Sequence, residues 1–572
     1  MRELFARLLS RPGLTTEMIA ASLFANVLAL ASPLFVIQVL NRYVAHGVDA
    51  TLATLTAGVV CAIVLELAFR QIRMRLAGAV NSSYDRKLAN ASFLTLTHTK
   101  IGAVEQLPTG VRQEMIAGAE KVQTAYSPAN VSALLDVPFA LLFIGALYLL
   151  NPLLALVVIG FVLFGFGISL ITLFSLRRPT REMLAASGRR GGLIASAIQA
   201  GDTVRAFNAG GFMRKLWGEE TGVFHKLARR INQRQGFVQS LGMTTQAMMS
   251  TCVIAVGALQ VVKGQMDVGA MIGANILAAR ALGPIIRLAT LSEAIAKARQ
   301  ALNMFQEFAK LPAERGEGTA LRKFTGTIEF QDLAFAHPGA KTPLFESVNL
   351  KLEPASVLVF SGSNGASKTT LARLVAGLIE PTRGKILADG VDMQQIAPEW
   401  WRSQICYLPQ EPRFLNGTIA ENITMANPEM PEALLNDVID TAGLRQYVDQ
   451  STDGLDTRVT NNGANLSLGI RRRLALARAL ATDGMLMIVD EPTEGLDADG
   501  AGHVIEAMNE MAKRGRTVLA FSHDPQILRG APHYVDLDSK PVPTLVRKPA
   551  EGAAGEVAPE AAANEPTRST GP

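Results

Sequence analysis

The sequence predicts a polytopic α-helical membrane domain, six transmembrane helices with long cytoplasmic extensions, followed by an α/β domain built around a phosphate loop. Three observations carry that reading. Six apolar stretches of about 20 residues lie within roughly the first 290, each long enough to cross a ~30 Å hydrocarbon core. Residues 362–369 read GSNGASKT, close to the spacing of a phosphate loop. Further on, an apolar run ends in the adjacent carboxylates Asp490 and Glu491. With 49% hydrophobic and only 18% charged residues in 572, the chain is too apolar for an ordinary soluble multidomain protein.

Hydropathy places the spans at residues 18–40, 52–69, 131–150, 153–176, 237–262 and 268–288. The first is too long for a secretory signal and lacks a small-residue cleavage site, so it stays as an anchor. With so few residues before it for a catalytic domain, leader cleavage by this chain is not expected. The turns around His46, Asn151 and Gly264 are short and carry little positive charge. The long connections hold Arg70, Arg73, Arg75, Arg177, Arg178, Arg189, Arg190, Arg229 and Arg230, which makes them cytoplasmic. A net charge of +5 reads as topology, because no RNA-binding signature or interleaving of basic and aromatic residues points to nucleic acid. Cys61, Cys252 and Cys406 stand singly, which gives neither a disulfide framework nor a zinc site.

Both long connections are rich in helix formers, so they should prolong the spans, turning near residues 110–112 and 201–207. Pro33, Pro138 and Pro284 should kink the spans. Glu66, Asp136 and Arg280 lie at similar predicted depth and are expected to pair with one another, as a structural charge pair or as part of a transport path.

After Leu311 a linker rich in Gly, Glu and Arg leads into alternating β-rich and helical runs. The expected division is a membrane domain over 1–310, a linker over 311–326, a nucleotide-binding domain over 327–546 and a disordered tail over 547–572, the tail being poor in apolar residues. A short strand over 358–360 runs into GSNGASKT and then a helix, the context a phosphate loop requires. The backbone of Gly362, Ser363, Asn364, Gly365, Ala366 and Ser367 would cradle phosphates at the helix N-terminus, with Lys368 neutralising them and the Thr369 hydroxyl on Mg²⁺. Thr370 completes that nucleotide-contacting run.

Five further strings then appear in order: YLPQEP with Gln410, LSLGI, MIVDEP with Asp490 and Glu491, EGLD ending in Asp497, and FSHD with His523. With the phosphate loop they make this half resemble the nucleotide-binding domain of ABC transporters. The six-span half is similar to the exporter class of that superfamily, and ANILAARALGPI, DVPF and QEPRFLNGTIAENI look like the type I secretion exporters of Gram-negative bacteria. The resemblance implies ATP as substrate and Mg²⁺ as cofactor. Glu491 would polarise the attacking water, Asp490 would orient Mg²⁺, Gln410 would sense metal and γ-phosphate, and His523 would act as the γ-phosphate switch. Ser467 and Gly469 of the signature and Asp497 would act across a dimer. His337 falls where an aromatic residue usually stacks on adenine, with Phe335 as the alternative. Three departures stand out. Ser367 replaces a glycine, Leu468 and Ile470 replace the glycine and glutamine of an LSGGQ signature, and EGLD is unusual before the D-loop aspartate.

The resemblance also implies a multi-pass protein of the bacterial inner membrane with a cytoplasmic ATPase domain. It would act as a homodimer or with a related subunit, exporting an unfolded polypeptide through a periplasmic adaptor and an outer-membrane channel protein. Other readings are a lipid or small-amphiphile exporter, a weakly hydrolysing subunit of a heterodimer, and a non-hydrolysing membrane protein regulated by ATP.

Overall fold

The computed structural model describes residues 2–44, 47, 49–340 and 342–547. The turn expected at His46 lies outside the described residues, as does the expected tail apart from Arg547, which ends a strand. The chain divides into two compact units, with Lys100–Gly102 assigned to the second and the main division falling between Ala313 and Glu314.

Among the described residues of the first unit, six helices are long and apolar enough to cross a membrane: Pro12–Tyr43, Asp49–His98, Pro128–Leu150, Pro152–Gln199, Gly210–Val262 and Val268–Phe308. Each contains one expected span. Four run to 41–53 residues. At ~1.5 Å per residue a 50-residue helix is about 75 Å long, more than twice the thickness of a hydrocarbon core. The helix-forming connections therefore continue the spans, as the sequence indicates. Asn151 separates the third and fourth spans by accepting hydrogen bonds from the backbone of Leu153 and Leu154, with Pro152 opening the next helix, a capped start.

The turns between the extensions sit partly elsewhere than expected. The second is the short helix Gly201–Ala206, as read. The first is Ile101–Glu105, not residues 110–112. Gly110 instead lies in the rising helix Thr109–Ala125 and crosses Gly188 and Gly192 so closely that a Cβ would overlap the Gly188 carbonyl oxygen. The backbones touch because neither side has a side chain there. Gly110→Ala is expected to cost about 3 kcal/mol, seen as loss of the monodisperse peak in size-exclusion chromatography, while Gly102→Ala, with open space around it, leaves the peak unchanged.

The prolines differ in effect. Pro33 follows a break at Ala29 and Leu30, and Pro138 lies between the helices Pro128–Asp136 and Ala140–Leu150. Pro284 sits inside the continuous helix Val268–Phe308. The expected triad of charges separates into two clusters. Glu66 pairs with Arg70 and, at 3.7 Å, with Arg280. Asp136 takes two hydrogen bonds from Arg73, at 2.5 and 3.3 Å, and one from Asn26 at 3.2 Å. Arg73 follows Glu66 by two helical turns, about 10 Å along the axis, so the two carboxylates occupy different levels. One feature not anticipated is the helix Arg2–Leu9, anchored by a fully buried Arg7 that pairs with Asp85 at 2.7 Å and lies over the rings of Tyr84 and Tyr126.

Among its described residues the second unit holds three sheets. An antiparallel one in the order β2-β1-β4-β5 comprises β1 (Ile328–Phe335), β2 (Phe345–Leu352), β4 (Arg383–Ala388) and β5 (Val391–Asp392). The central six-stranded sheet has the order β12-β11-β3-β10-β9-β6, with β3 (Val357–Ser361), β6 (Ile405–Leu408), β9 (Leu486–Asp490), β10 (Thr517–Phe521), β11 (His533–Asp536) and β12 (Thr544–Arg547). Its pairs are parallel except β11 with β12. A small antiparallel pair joins β7 (Gly417–Thr418) to β8 (Arg458–Val459). Strand periodicity of two explains the two cores. Val359, Met487, Val489, Val518 and Ala520 face one, while Leu358, Phe360, Leu486, Ile488, Leu519 and Phe521 face the other. The segment read as a linker joins the second core, since Phe324 is fully buried with its ring edge on Trp401.

Candidate functional site

The candidate chemistry gathers where the parallel strands end, the edge at which open α/β sheets bind ligands. The phosphate loop leaves β3, Asp490 and Glu491 end β9, Ser522 and His523 follow β10, and Gln410 follows β6. Together with the helix Lys368–Val375, these ends frame a cleft of about 280 Å³ lined by His337, Leu344, residues 364–370, Gln410 and Glu491.

Lys368 is buried, and its ammonium donates to the carbonyls of Gly362 at 2.5 Å and Ser363 at 3.1 Å while pairing with Glu491 at 3.0 Å. These acceptors hold the cation within the loop. Gly365 has φ +90 and Ser367 φ +74, the left-handed region that suits glycine. Ser367 is buried and its hydroxyl has no hydrogen-bond partner among the described residues. The departure noted in the sequence thus costs both strain and an unsatisfied polar atom.

Glu491 is buried, with φ +45, a strained conformation for a side chain of this size and of a kind that concentrates at functional sites. His523 Nδ1 lies 2.9 and 3.0 Å from its two carboxylate oxygens, and Ser522 Oγ donates at 3.3 Å. Its backbone is held at both ends, the N–H donating to the Phe521 carbonyl at 2.8 Å and the carbonyl accepting from Arg472 at 3.0 Å. The carboxylate is therefore pinned between the lysine of the loop and the histidine of the next strand.

Asp490 is fully buried, and neither of its carboxylate oxygens has a hydrogen bond of ordinary geometry among the described residues, although the Thr369 hydroxyl lies close by. Burial pushes its pKa up to about 6 against the smaller, opposing effect of the Thr369 hydroxyl. Two buried acceptors near the Thr369 hydroxyl, which donates to Gln410 Oε1 at 3.1 Å, form an all-oxygen donor set that fits a hard divalent cation such as Mg²⁺. A raised carboxyl pKa means the folded state keeps its proton to higher pH than the unfolded one. Its stabilising contribution is present below about pH 4 and lost as pH rises through about 6. Because the fold lifts this carboxyl from its ordinary 3.8 to about 6, the buried anion costs about 3 kcal/mol at neutral pH. In EDTA without nucleotide, the thermal midpoint of the detergent-solubilised chain is expected to fall between pH 5 and 7. Asp490→Asn should remove that fall, and Mg²⁺ should reverse it in the parent chain alone.

Two contributors were missed in the sequence. Glu494 accepts from Gln410 Nε2 at 3.0 Å and from Arg472 at 3.5 Å, so it turns the amide oxygen of Gln410 towards Thr369 and ties that glutamine to the helix Leu468–Leu480. The EGLD anomaly contained this residue without revealing its partner. Asp538, after β11, accepts from the Ser363 N–H and hydroxyl at 2.7 Å each, and those bonds hold its carboxyl below the usual range. Nothing in the sequence placed it at the loop, since its approach depends on β11 pairing with β3.

His337 lines the cleft and is exposed, whereas Phe335 is buried in the core and meets the His337 ring edge-on, centroids 5.3 Å apart. Phe335 therefore cannot serve as the alternative adenine platform, because its ring already packs on the sheet. Ser467, Gly469 and Asp497 are not brought to the cleft within this chain. Ser467 caps the helix Leu468–Leu480, Gly469 faces open space, and Asp497 caps Ala498–Lys513 while pairing with Arg473 at 3.2 Å.

Comparison with known proteins agrees with this geometry. A profile described as the ABC transporter transmembrane region matches residues 15–285, and one described as ABC transporter matches residues 345–494. The chain is 25% identical over 523 residues to the toxin RTX-I translocation ATP-binding protein of Actinobacillus pleuropneumoniae, covering 91% of this chain and 74% of that one. It is 25% identical over 527 residues to the leukotoxin translocation ATP-binding protein of Mannheimia haemolytica, with the same coverages. A bacterial Atm1-family ABC exporter with ATP bound has the same fold, with a TM-score of 0.81 at 20% identity over 92% of this chain and 93% of that one.

Proposed function

The chain belongs to the ABC transporters, a multi-pass membrane protein with its ATPase fused behind the spans, and from that premise we propose that it exports an unfolded polypeptide in a type I secretion system. It would lie in the bacterial inner membrane with the ATPase domain in the cytoplasm, the side to which the arginine-rich connections point. The observation that carries the polypeptide reading is its likeness to two toxin-translocation proteins along 91% of its length. A periplasmic adaptor and an outer-membrane channel protein would complete the route.

ATP occupies the cleft, with adenine against His337 and its phosphates on the loop and Lys368. Asp490, Thr369 and Gln410 would hold Mg²⁺, which when bound neutralises phosphate charge. Glu491 takes the proton of the attacking water, and His523 holds Glu491 until γ-phosphate arrives and then turns to it. Ser467, Gly469 and Asp497 do not line their own cleft, which supports a second copy of the chain whose signature closes the site. ATP binding then draws the two copies together and hydrolysis releases them, a two-state cycle.

Phosphate release by the lipid-reconstituted chain tests the cargo class. An unfolded polypeptide is expected to raise the rate severalfold while a small amphiphile leaves it unchanged. Stimulation by the amphiphile alone would select the lipid exporter instead.

A further inference from the structure

Between the fourth and fifth spans, Pro152–Gln199 and Gly210–Val262, lies a groove of about 500 Å³ outside every site described above. Its wall is apolar, with Ile171, Phe237, Val238 and Leu241 among its residues, and Arg230 and Arg234 line the same groove. Arg234 donates to the Ser175 carbonyl at 2.8 Å, which fixes its guanidinium at the end of the fourth span's apolar run. Arg230 lies one turn further from the apolar part of its helix and has no hydrogen-bond or ion-pair partner among the described residues, and no acidic residue lines the groove. On the same helix end, the Arg177 guanidinium covers the Phe174 ring at 4.4 Å. The apolar run of the fourth span stops here and arginines begin, so this is the level of lipid headgroups.

We propose that this groove binds an anionic phospholipid drawn from the bilayer, its acyl chain against Ile171, Phe237, Val238 and Leu241 and its phosphate between Arg230 and Arg234. Charge and shape together select that ligand. A soluble anion has no use for the apolar wall, and a zwitterionic or neutral lipid does not match two cations without a carboxylate. Basic pockets between helices at the membrane boundary hold anionic headgroups in this way, and the volume lies within the range of small-ligand sites.

The full chain in nanodiscs of equal phosphatidylcholine and phosphatidylglycerol provides the test, with retained lipids identified by native mass spectrometry after repurification. Phosphatidylglycerol should be enriched, and each of Arg230→Gln and Arg234→Gln should lower that enrichment roughly fivefold. If Arg234→Gln does not fold, because Ser175 loses its partner, Arg230→Gln alone decides. No enrichment in the parent chain, or enrichment that both variants keep, overturns the proposal. A second measurement locates the lipid: a Val238→Trp variant should be quenched more by brominated phosphatidylglycerol than by brominated phosphatidylcholine, relative to the parent chain with its three native tryptophans. Equal quenching would mean bulk lipid without recognition, and no added quenching would mean that protein covers the groove, either of which overturns the proposal.

Discussion

Glu491→Gln is expected to lower phosphate release by the purified, lipid-reconstituted chain about 10³-fold, the range for loss of a general base, while ATP affinity changes by less than about threefold. The amide fills the same volume and can still meet Lys368 and Ser522, which lie 3.0 and 3.3 Å from the carboxylate. It cannot take a proton from water. The left-handed backbone at this residue is fixed by Phe521 and Arg472 through main-chain bonds, so the side chain changes and its placement does not. Filter binding of ATP beside single-turnover phosphate release separates the two effects. Activity in the parent chain that vanishes in the variant establishes that one polypeptide is sufficient for hydrolysis. Absence of activity in both would shift attention to a related subunit with an intact signature, or to ATP as a regulatory ligand.

The spans were legible because each is a long local pattern. A run of about 20 apolar residues ending in arginines needs no partner to be recognised. The phosphate loop and the residues that end β9 and β10 were legible for a related reason, since strand alternation and a turn fix them locally. Long-range geometry was not. Asp538 reaches Ser363 only because β11 pairs beside β3, and Glu494 meets Gln410 only because β6 pairs beside β9. The charges failed in the same way. Depth in a hydropathy profile does not distinguish Glu66 from Asp136, whereas the packed helices give them different arginines. Phe335 was misjudged because an aromatic residue at a strand end reads alike whether its ring faces ligand or core, and here it faces the core.

Reversing the departures in the ATPase domain should raise turnover, and the structure says how the gain divides. Ser367→Gly removes left-handed strain worth ~1 kcal/mol and a buried hydroxyl without a partner, so both the thermal midpoint and nucleotide affinity should increase. Leu468→Gly acts differently, because Leu468 is 45% exposed and stands at the start of the helix that a second copy would present to the cleft. Its neighbour is Gly495, where a Cβ would lie 2.9 Å from Leu468 Cδ2 and the backbone has φ +67. The glycine of EGLD is therefore required first by its left-handed backbone, and the Leu468 methyl lies against the space its missing Cβ leaves. Gly495→Ala should accordingly cost more in the parent chain than in the Leu468→Gly background, a coupling that a double-mutant cycle measures. If Ser367→Gly and Leu468→Gly together restore ~2 to 3 kcal/mol of transition-state stabilisation, kcat rises roughly 30- to 150-fold. A kcat that stays flat while the thermal midpoint rises would show that the loop was strained without limiting turnover. The altered signature would then belong to a heterodimer whose working site is closed by another subunit.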